Sequence, residues 1–153
     1  MTTDGPGELA GAETRTDNTY RLDEQVGFLI RSANQRHTAL FGARMIEGLT
    51  PPQFAALAKL SEVGPCSQNR LGRLVCLDAA TIKGVVDRLA ARGLVLATDD
   101  PLDRRRLAVD LSERGRAVAA TAIVVARDIS EAMLEPLTPA EREQAIRLLR
   151  KLC

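Results

Sequence analysis

Tryptophan is missing from this chain of 153 residues, tyrosine occurs once, phenylalanine three times and histidine once. With so few large rings the core must be aliphatic, drawn from Leu, Ala and Val, and this favours helix packing over a β-sandwich. Cysteine is scarce too. Cys66, Cys76 and Cys153 form neither an even set nor a CxxC pair, so they are read as reduced thiols, outside any disulfide framework or zinc site. A metal centre would need a Cys, Asp and Glu spacing that is not there, and no metal or cofactor is expected. The longest apolar stretches, such as Ala117–Ala126, fall far short of the roughly 20 residues of a membrane span. Met1–Asn18 has neither the basic start nor the apolar run of a signal peptide and reads as a flexible tail on a cytoplasmic protein. P-loop, dinucleotide fingerprint, nucleophile elbow and His-assisted nucleophile are all lacking, which argues against an enzyme.

What remains is an ordinary globular composition, 45% hydrophobic and 27% charged. Its length suits one domain, placed at residues 19–153. The net charge of +1 is unevenly spread: Cys66–Arg116 holds ten Lys or Arg against seven Asp or Glu.

Apolar residues from Leu22 through Val26, Leu29, Ile30, Ala33, Leu40, Phe41 and Met45 recur at helical steps, predicting a helix to Ile46 that Gly48 ends. Thr50-Pro51-Pro52-Gln53 is a capping box with proline at the first helical position, opening a helix to Val63. Ser67 caps a third helix over Gln68–Val75, and Asp78 caps a fourth that runs through Ala91 to Gly93. Leu94–Thr98 and Arg106–Leu111 read as strands joined by a turn over Asp99–Asp103. Ser112 caps a long helix to Leu134, and the box Thr138-Pro139-Ala140-Glu141 opens the last, through Leu152. The fold class expected is mainly α with a small β-hairpin: a winged helix-turn-helix lobe over residues 50–111, flanked by helices at 22–46 and 113–152.

In a helix-turn-helix the second helix enters the major groove and reads bases with residues near its N-terminus. That assigns base reading to Ala79, Ala80, Thr81, Lys83 and Gly84, while Ile82, Val85, Val86 and Leu89 form the buried stripe. Arg88, a turn later, suits either a phosphate or a tie to the wing. Arg104, Arg105 and Arg106 at the hairpin tip repel one another unless an anion is near, and a narrow minor groove supplies one. The competing reading is a solvated charge run partly neutralised by Asp99, Asp100 and Asp103. Ser67, Gln68, Asn69, Arg70 and Arg73 in and before the third helix are candidates for backbone phosphates. The first helix sets Phe28, Arg31, Arg36, His37, Phe41 and Arg44 near Phe54 of the second. They are candidates for an anion pocket, or the plain solvent face of an amphipathic helix.

Leu49-Thr50-Pro51-Pro52-Gln53-Phe54, Thr81–Leu89 with Arg92-Gly93-Leu94-Val95, and Asp103-Arg104-Arg105 followed by Val109-Asp110-Leu111-Ser112 together resemble the MarR family of bacterial regulators. The branch they are most similar to governs breakdown of plant aromatic acids and includes a p-coumaroyl-CoA-responsive repressor. Small residues at Ala79, Ala80 and Gly84 depart from the longer polar readers of many members. The resemblance implies an intertwined homodimer on a pseudopalindromic operator in double-stranded DNA, repressing until an aromatic acid or its CoA thioester is bound. Arg31, Arg36 and Arg44 would then face the CoA phosphates. Other functions left open are a cysteine-based redox regulator and a helical protein-interaction module that does not bind DNA.

Overall fold

The computed structural model describes residues 19–153, so the proposed tail over residues 1–18 lies outside the described part. Its elements follow the capping chemistry closely. α1 (Val26–Arg44), α2 (Pro51–Val63), α3 (Gln68–Leu74), α4 (Ala79–Ala91), β1 (Val95–Asp100), β2 (Asp103–Leu111), α5 (Glu113–Leu134) and α6 (Pro139–Leu149) succeed one another in that order. Thr50, Ser67, Asp78, Ser112 and Thr138 each accept a backbone N–H in the first turn of the helix they precede, with full capping boxes at Thr50 and Thr138. Each cap satisfies an amide that the helix itself leaves without a partner.

The first helix, the last helix and the hairpin are bounded differently from the sequence reading. The first helix is shorter than the apolar period suggests, because extended residues Gln25 and Met45 separate α1 from 3-10 turns at Leu22–Glu24 and Ile46–Gly48. At the second of these, Glu47 and Gly48 adopt φ of 57° and 61°, a left-handed pair that no α-helix can contain. α6 stops at Leu149, before Leu152. The hairpin turns at Pro101–Leu102, so Arg104, Arg105 and Arg106 belong to β2 and do not form its tip.

The core gathers where α2, α4 and the hairpin meet α5. Leu57, Leu60, Leu71, Ile82, Leu89 and Leu94 are fully buried there, as an aliphatic core requires. α3 crosses α4 closely at Gly72, where a Cβ would stand 3.0 Å from Ile82 Cγ2 and 3.1 Å from the Leu77 carbonyl oxygen. The hairpin is antiparallel with Val95 opposite Leu111 and Asp99 opposite Leu107. Cys66, in the link between α2 and α3, exchanges backbone hydrogen bonds with Val109 (3.2 and 2.8 Å) and pins β2 to the helical lobe. Among the described residues no helix is long and apolar enough to cross a membrane.

The tightest junction joins α4, β1 and α5. Ser112 donates its hydroxyl to the Gly93 carbonyl (2.6 Å) and its amide to Leu94 (3.1 Å). A Cβ at Gly115 would fall inside the Leu94 carbonyl oxygen. Backbone offers no rotamer to relieve such overlap, so Gly115→Ala is expected to cost more than about 2 kcal/mol, read by urea denaturation. A loss within about 0.5 kcal/mol would mean that α5 slides freely along β1.

Candidate nucleic-acid interface and adjoining cleft

The first turn of α4 is organised by Asp78, whose carboxylate accepts the Thr81 amide and the Thr81 hydroxyl, both at 2.8 Å. These two bonds hold the Asp78 carboxyl below its ordinary range, the backbone amide contributing more than the hydroxyl. The Thr81 hydroxyl hydrogen is therefore committed to the cap, and its methyl and the lone pairs of its oxygen are what remain for a base. Lys83 is tied to Asp87, one turn on, at 2.6 Å with both side chains exposed. Arg88 folds back along its own helix, with Nη1 3.6 Å from where a Cβ of Gly84 would sit. Ala79 and Ala80 are exposed and small, so a duplex can approach the helix start closely.

Two hollows connect α4 to the wing. Asn69, Arg73, Asp78 and Ala79 line one of about 340 Å³ between α3 and α4. Ser67, Gln68, Asn69, Arg73, Arg106 and Leu107 line another, of about 530 Å³, between α3 and β2. Asn69 and Arg73 line both hollows, between Ala79 on one side and Arg106 on the other, with Ser67 and Gln68 on the Arg106 side.

The wing arginines owe their placement to a register irregularity. Asp99 pairs with Leu107 but Asp100 pairs with Asp103, so residues 104–106 are surplus length on β2 with no partner on β1. Such a bulge pushes side chains out of the ladder. The aspartates do turn chemistry more than charge neutralisation: Asp100 accepts the Leu102 amide (2.9 Å) and Asp103 the Arg105 amide (3.0 Å). Only Arg106 is ion-paired, with Asp103 at 3.3 Å. Among the described residues Arg70, Arg73, Arg88, Arg104 and Arg105 have no ion-pair partner. Guanidinium groups left unpaired on a lobe with a helix-turn-helix and a wing are what a polyanionic duplex requires.

The seven residues expected to form an anion pocket do not converge within one protomer. His37, Phe41 and Phe54 form a run of tilted ring contacts, with centroids 5.9 and 6.0 Å apart. Arg31 instead covers the ring of Phe28 at 5.4 Å, nearer the start of α1. Arg36 and Arg44 donate to the backbone carbonyls of Ala132 (3.2 Å) and Asp128 (3.4 Å) and so fasten α1 to α5.

Sequence reasoning missed a cleft of about 540 Å³ between α2 and α5, lined by Phe54, Ala58, Ile123 and Ala126 and edged by Glu62, Arg127 and Glu131. Phe54 is the one residue it shares with the expected pocket. Its two carboxylates are paired, Glu62 with Lys59 and Glu131 with Arg142, both at 2.7 Å. Arg127 has no ion-pair partner among the described residues. An apolar floor with one free cation suits a small organic anion. No sequence motif marks it, since its walls are single faces of two helices whose lining residues lie about 70 positions apart.

The three cysteines are free thiols, with Cys76 and Cys153 exposed. Cys66 is buried, and burial pushes its thiol up, opposed by the charge of Arg70 and aided by that of Asp100. A thiol so held is a poor nucleophile.

Comparison with known proteins gives a consistent result. The profile of the MarR family matches residues 49–107. Over 138 residues the chain is 46% identical to the transcriptional repressor NicR of Pseudomonas putida, covering 89% of this chain and 87% of NicR. A probable transcriptional regulator from Pseudomonas aeruginosa superposes with a TM-score of 0.83 at 53% identity, covering 87% of this chain and all of that one. BpsR of Bordetella bronchiseptica, whose DNA binding is regulated by 6-hydroxynicotinic acid, gives 0.82 at 39%, covering 88% and 96%. CouR of Rhodococcus jostii bound to p-coumaroyl-CoA gives 0.77 at 24%, covering 88% and 95%, a likeness of fold alone.

Two outcomes follow from the geometry of α4. The Asp78 cap stabilises α4 above the ordinary carboxylate pKa and is lost as pH falls through the lowered folded value. NMR of the Thr81 amide should then show the first turn fraying in acid for the native chain, at every pH for Asp78→Ala, and without pH dependence for Asp78→Asn. An acid response that survives in Asp78→Asn would assign it to another group. Separately, Asp87→Asn should release Lys83 and raise affinity for random-sequence DNA about threefold, with a steeper salt dependence by anisotropy. Unchanged affinity would show that Lys83 faces away from the duplex.

Proposed function

The chain belongs to the MarR family of winged-helix, DNA-binding and non-enzymatic transcriptional regulators, and from that premise we propose that it is a repressor released by a small aromatic acid. Membership of a DNA-binding family replaces the interaction-module reading. Residues 50–111 read the operator through α4, α3 and the wing, while residues 22–46 and 113–152 join two copies. Exposed apolar side chains at both ends support that pairing: Tyr20, Leu22, Val26, Leu29 and Ile30 before and in α1, with Leu148, Leu149 and Leu152 at the other. A two-fold dimer would read the two halves of a pseudopalindrome. Its working place is the cytoplasm, where the DNA lies.

The observation that carries the effector reading is Arg127, free of ion pairs above the apolar floor of the α2–α5 cleft. A carboxylate on that guanidinium sets an aromatic ring against Phe54, Ala58 and Ile123. The cleft separates α2 of the reading lobe from α5, so a ligand that fits a wider gap favours a lobe spacing that suits DNA poorly. NicR and BpsR, similar to this chain at 46% and 39% identity, support an acid related to hydroxynicotinic acid. A CoA thioester is less well served, since Arg36 and Arg44 spend donors on α5 carbonyls and a CoA would bring three phosphate groups to one free cation. Redox control through Cys66 is disfavoured by its burial.

Fluorescence anisotropy of DNA from upstream of the gene, challenged in turn with hydroxylated aromatic acids and with CoA thioesters, tests this. Release by the free acids, with Arg127→Met needing about tenfold more acid at unchanged DNA affinity, is the expected result. Release by thioesters alone would restore the CoA reading. Specific binding that nothing reverses would remove the effector and leave the regulator.

A further inference from the structure

The polypeptide passes between the outer helices and the reading lobe at two places: the Met45–Leu49 link from α1 to α2, and Ser112 between β2 and α5. Glu47 sits in the first crossing and Arg114 just beyond the second. Their side chains meet, with Arg114 Nη2 2.9 Å from Glu47 Oε2. Both also hold Arg92, the residue that ends α4. Arg92 Nη2 donates to the Glu47 backbone carbonyl at 2.6 Å and approaches its carboxylate at 3.4 Å. Arg114 Nη1 in turn donates to the Arg92 carbonyl at 2.6 Å, one of the carbonyls left over at the end of α4.

Glu47 reaches this position only in the left-handed region, at φ 57° and ψ 12°, which costs a non-glycine residue energy unless its surroundings repay it. Gly48 follows at φ 61° with open space around it, so the link has room to pivot. The Glu47 and Arg114 side chains retain 36% and 55% of their exposure, while Leu49 of the first crossing is buried in the core with Met45 and Ile46 packed against it. The bonds just named tie both crossings to the end of α4, and they add to the packing of Leu49 and to the close approach of Gly115 to Leu94.

We propose that Glu47, with Arg92 and Arg114, is a hinge latch that sets the spacing of the two recognition helices, and so makes Glu47 a positioning residue for operator spacing without touching DNA. The inference rests on the two-half-site reading above. One added base pair shifts a half-site by about 3.4 Å and turns it by roughly 35°. A latched dimer cannot follow that displacement, and an unlatched one can.

The test compares the native chain, Glu47→Gln and Arg114→Met on its operator and on operators one base pair longer and shorter. The native chain should lose about tenfold in affinity on the altered spacings, and each variant less than about threefold, with binding to random DNA unchanged. Equal losses in native and variant proteins would overturn the latch, as would variants weakened on every spacing alike. A second measurement needs no operator. Nitroxides on the exposed Cys76 of the lobe and on a Thr121→Cys change in α5, with Cys153→Ser and labelled chains diluted into unlabelled ones, report a distance across the hinge within one protomer. Cys66 is buried and stays unlabelled. A narrow native distribution that broadens in both variants supports the latch; equal widths reject it. If no operator is found, the repressor reading fails while the hinge distance still decides the latch.

Discussion

The Leu94 carbonyl is where the recognition helix hands over to everything else. It accepts the Ser112 amide, and α5 passes so close that only glycine fits at 115. β1 therefore leaves α4 in a fixed direction and α5 starts from a fixed point beside it. At its other end α4 is held by the Asp78 cap and by its crossing with α3 at Gly72. A helix fixed at both ends by backbone contacts presents its first turn as a rigid element, as major-groove reading demands. The wing inherits the same frame through the Cys66–Val109 bridge.

Charge is distributed with the same economy. Arginines at structural junctions have partners: Arg92 and Arg114 with Glu47, Arg116 with Asp110, and Arg142 with Glu131. Among the described residues Arg70, Arg73, Arg88, Arg104 and Arg105 of the lobe and Arg127 at the cleft have no ion-pair partner. A net charge of +1 hides this division, because the sum does not distinguish paired residues from unpaired ones. For DNA binding the informative quantity is which cations remain free, since each contributes a phosphate contact and a released counterion.

Much of the fold was legible in the chain. Thr50, Ser67, Asp78, Ser112 and Thr138 announced five helix starts, because capping is chemistry between residues three apart. What escaped notice depends on distant segments. The apolar period runs unbroken past Gln25 and Met45, and nothing local shows that the backbone extends there. The arginine run was seen but set at the hairpin tip; its true place on a bulge follows from register, which a strand pattern leaves open by a residue or more. Of the expected anion pocket only Phe54 lines the cleft found between α2 and α5, since side chains on α1 were judged without knowing which of them α5 would claim. Glu47 carried no signal at all: its role comes from a left-handed turn and from partners 45 and 67 residues away.

The arrangement constrains how a ligand can act on DNA. α2 belongs to the reading lobe, yet it packs on α5, so the cleft is walled by the lobe on one side and by an outer helix on the other. On the effector reading proposed above, a molecule there would act by favouring one lobe angle over another, in proportion to its differential affinity for the two. The same angle is set at the crossings by Glu47 and Arg114. Cleft and latch therefore act on one coordinate, and by reciprocity an operator that holds the lobe at its preferred angle must weaken the ligand by the factor with which the ligand weakens the operator. A stiffer hinge transmits more of that factor from cleft to groove, and a loose one dissipates it in motions that neither ligand selects.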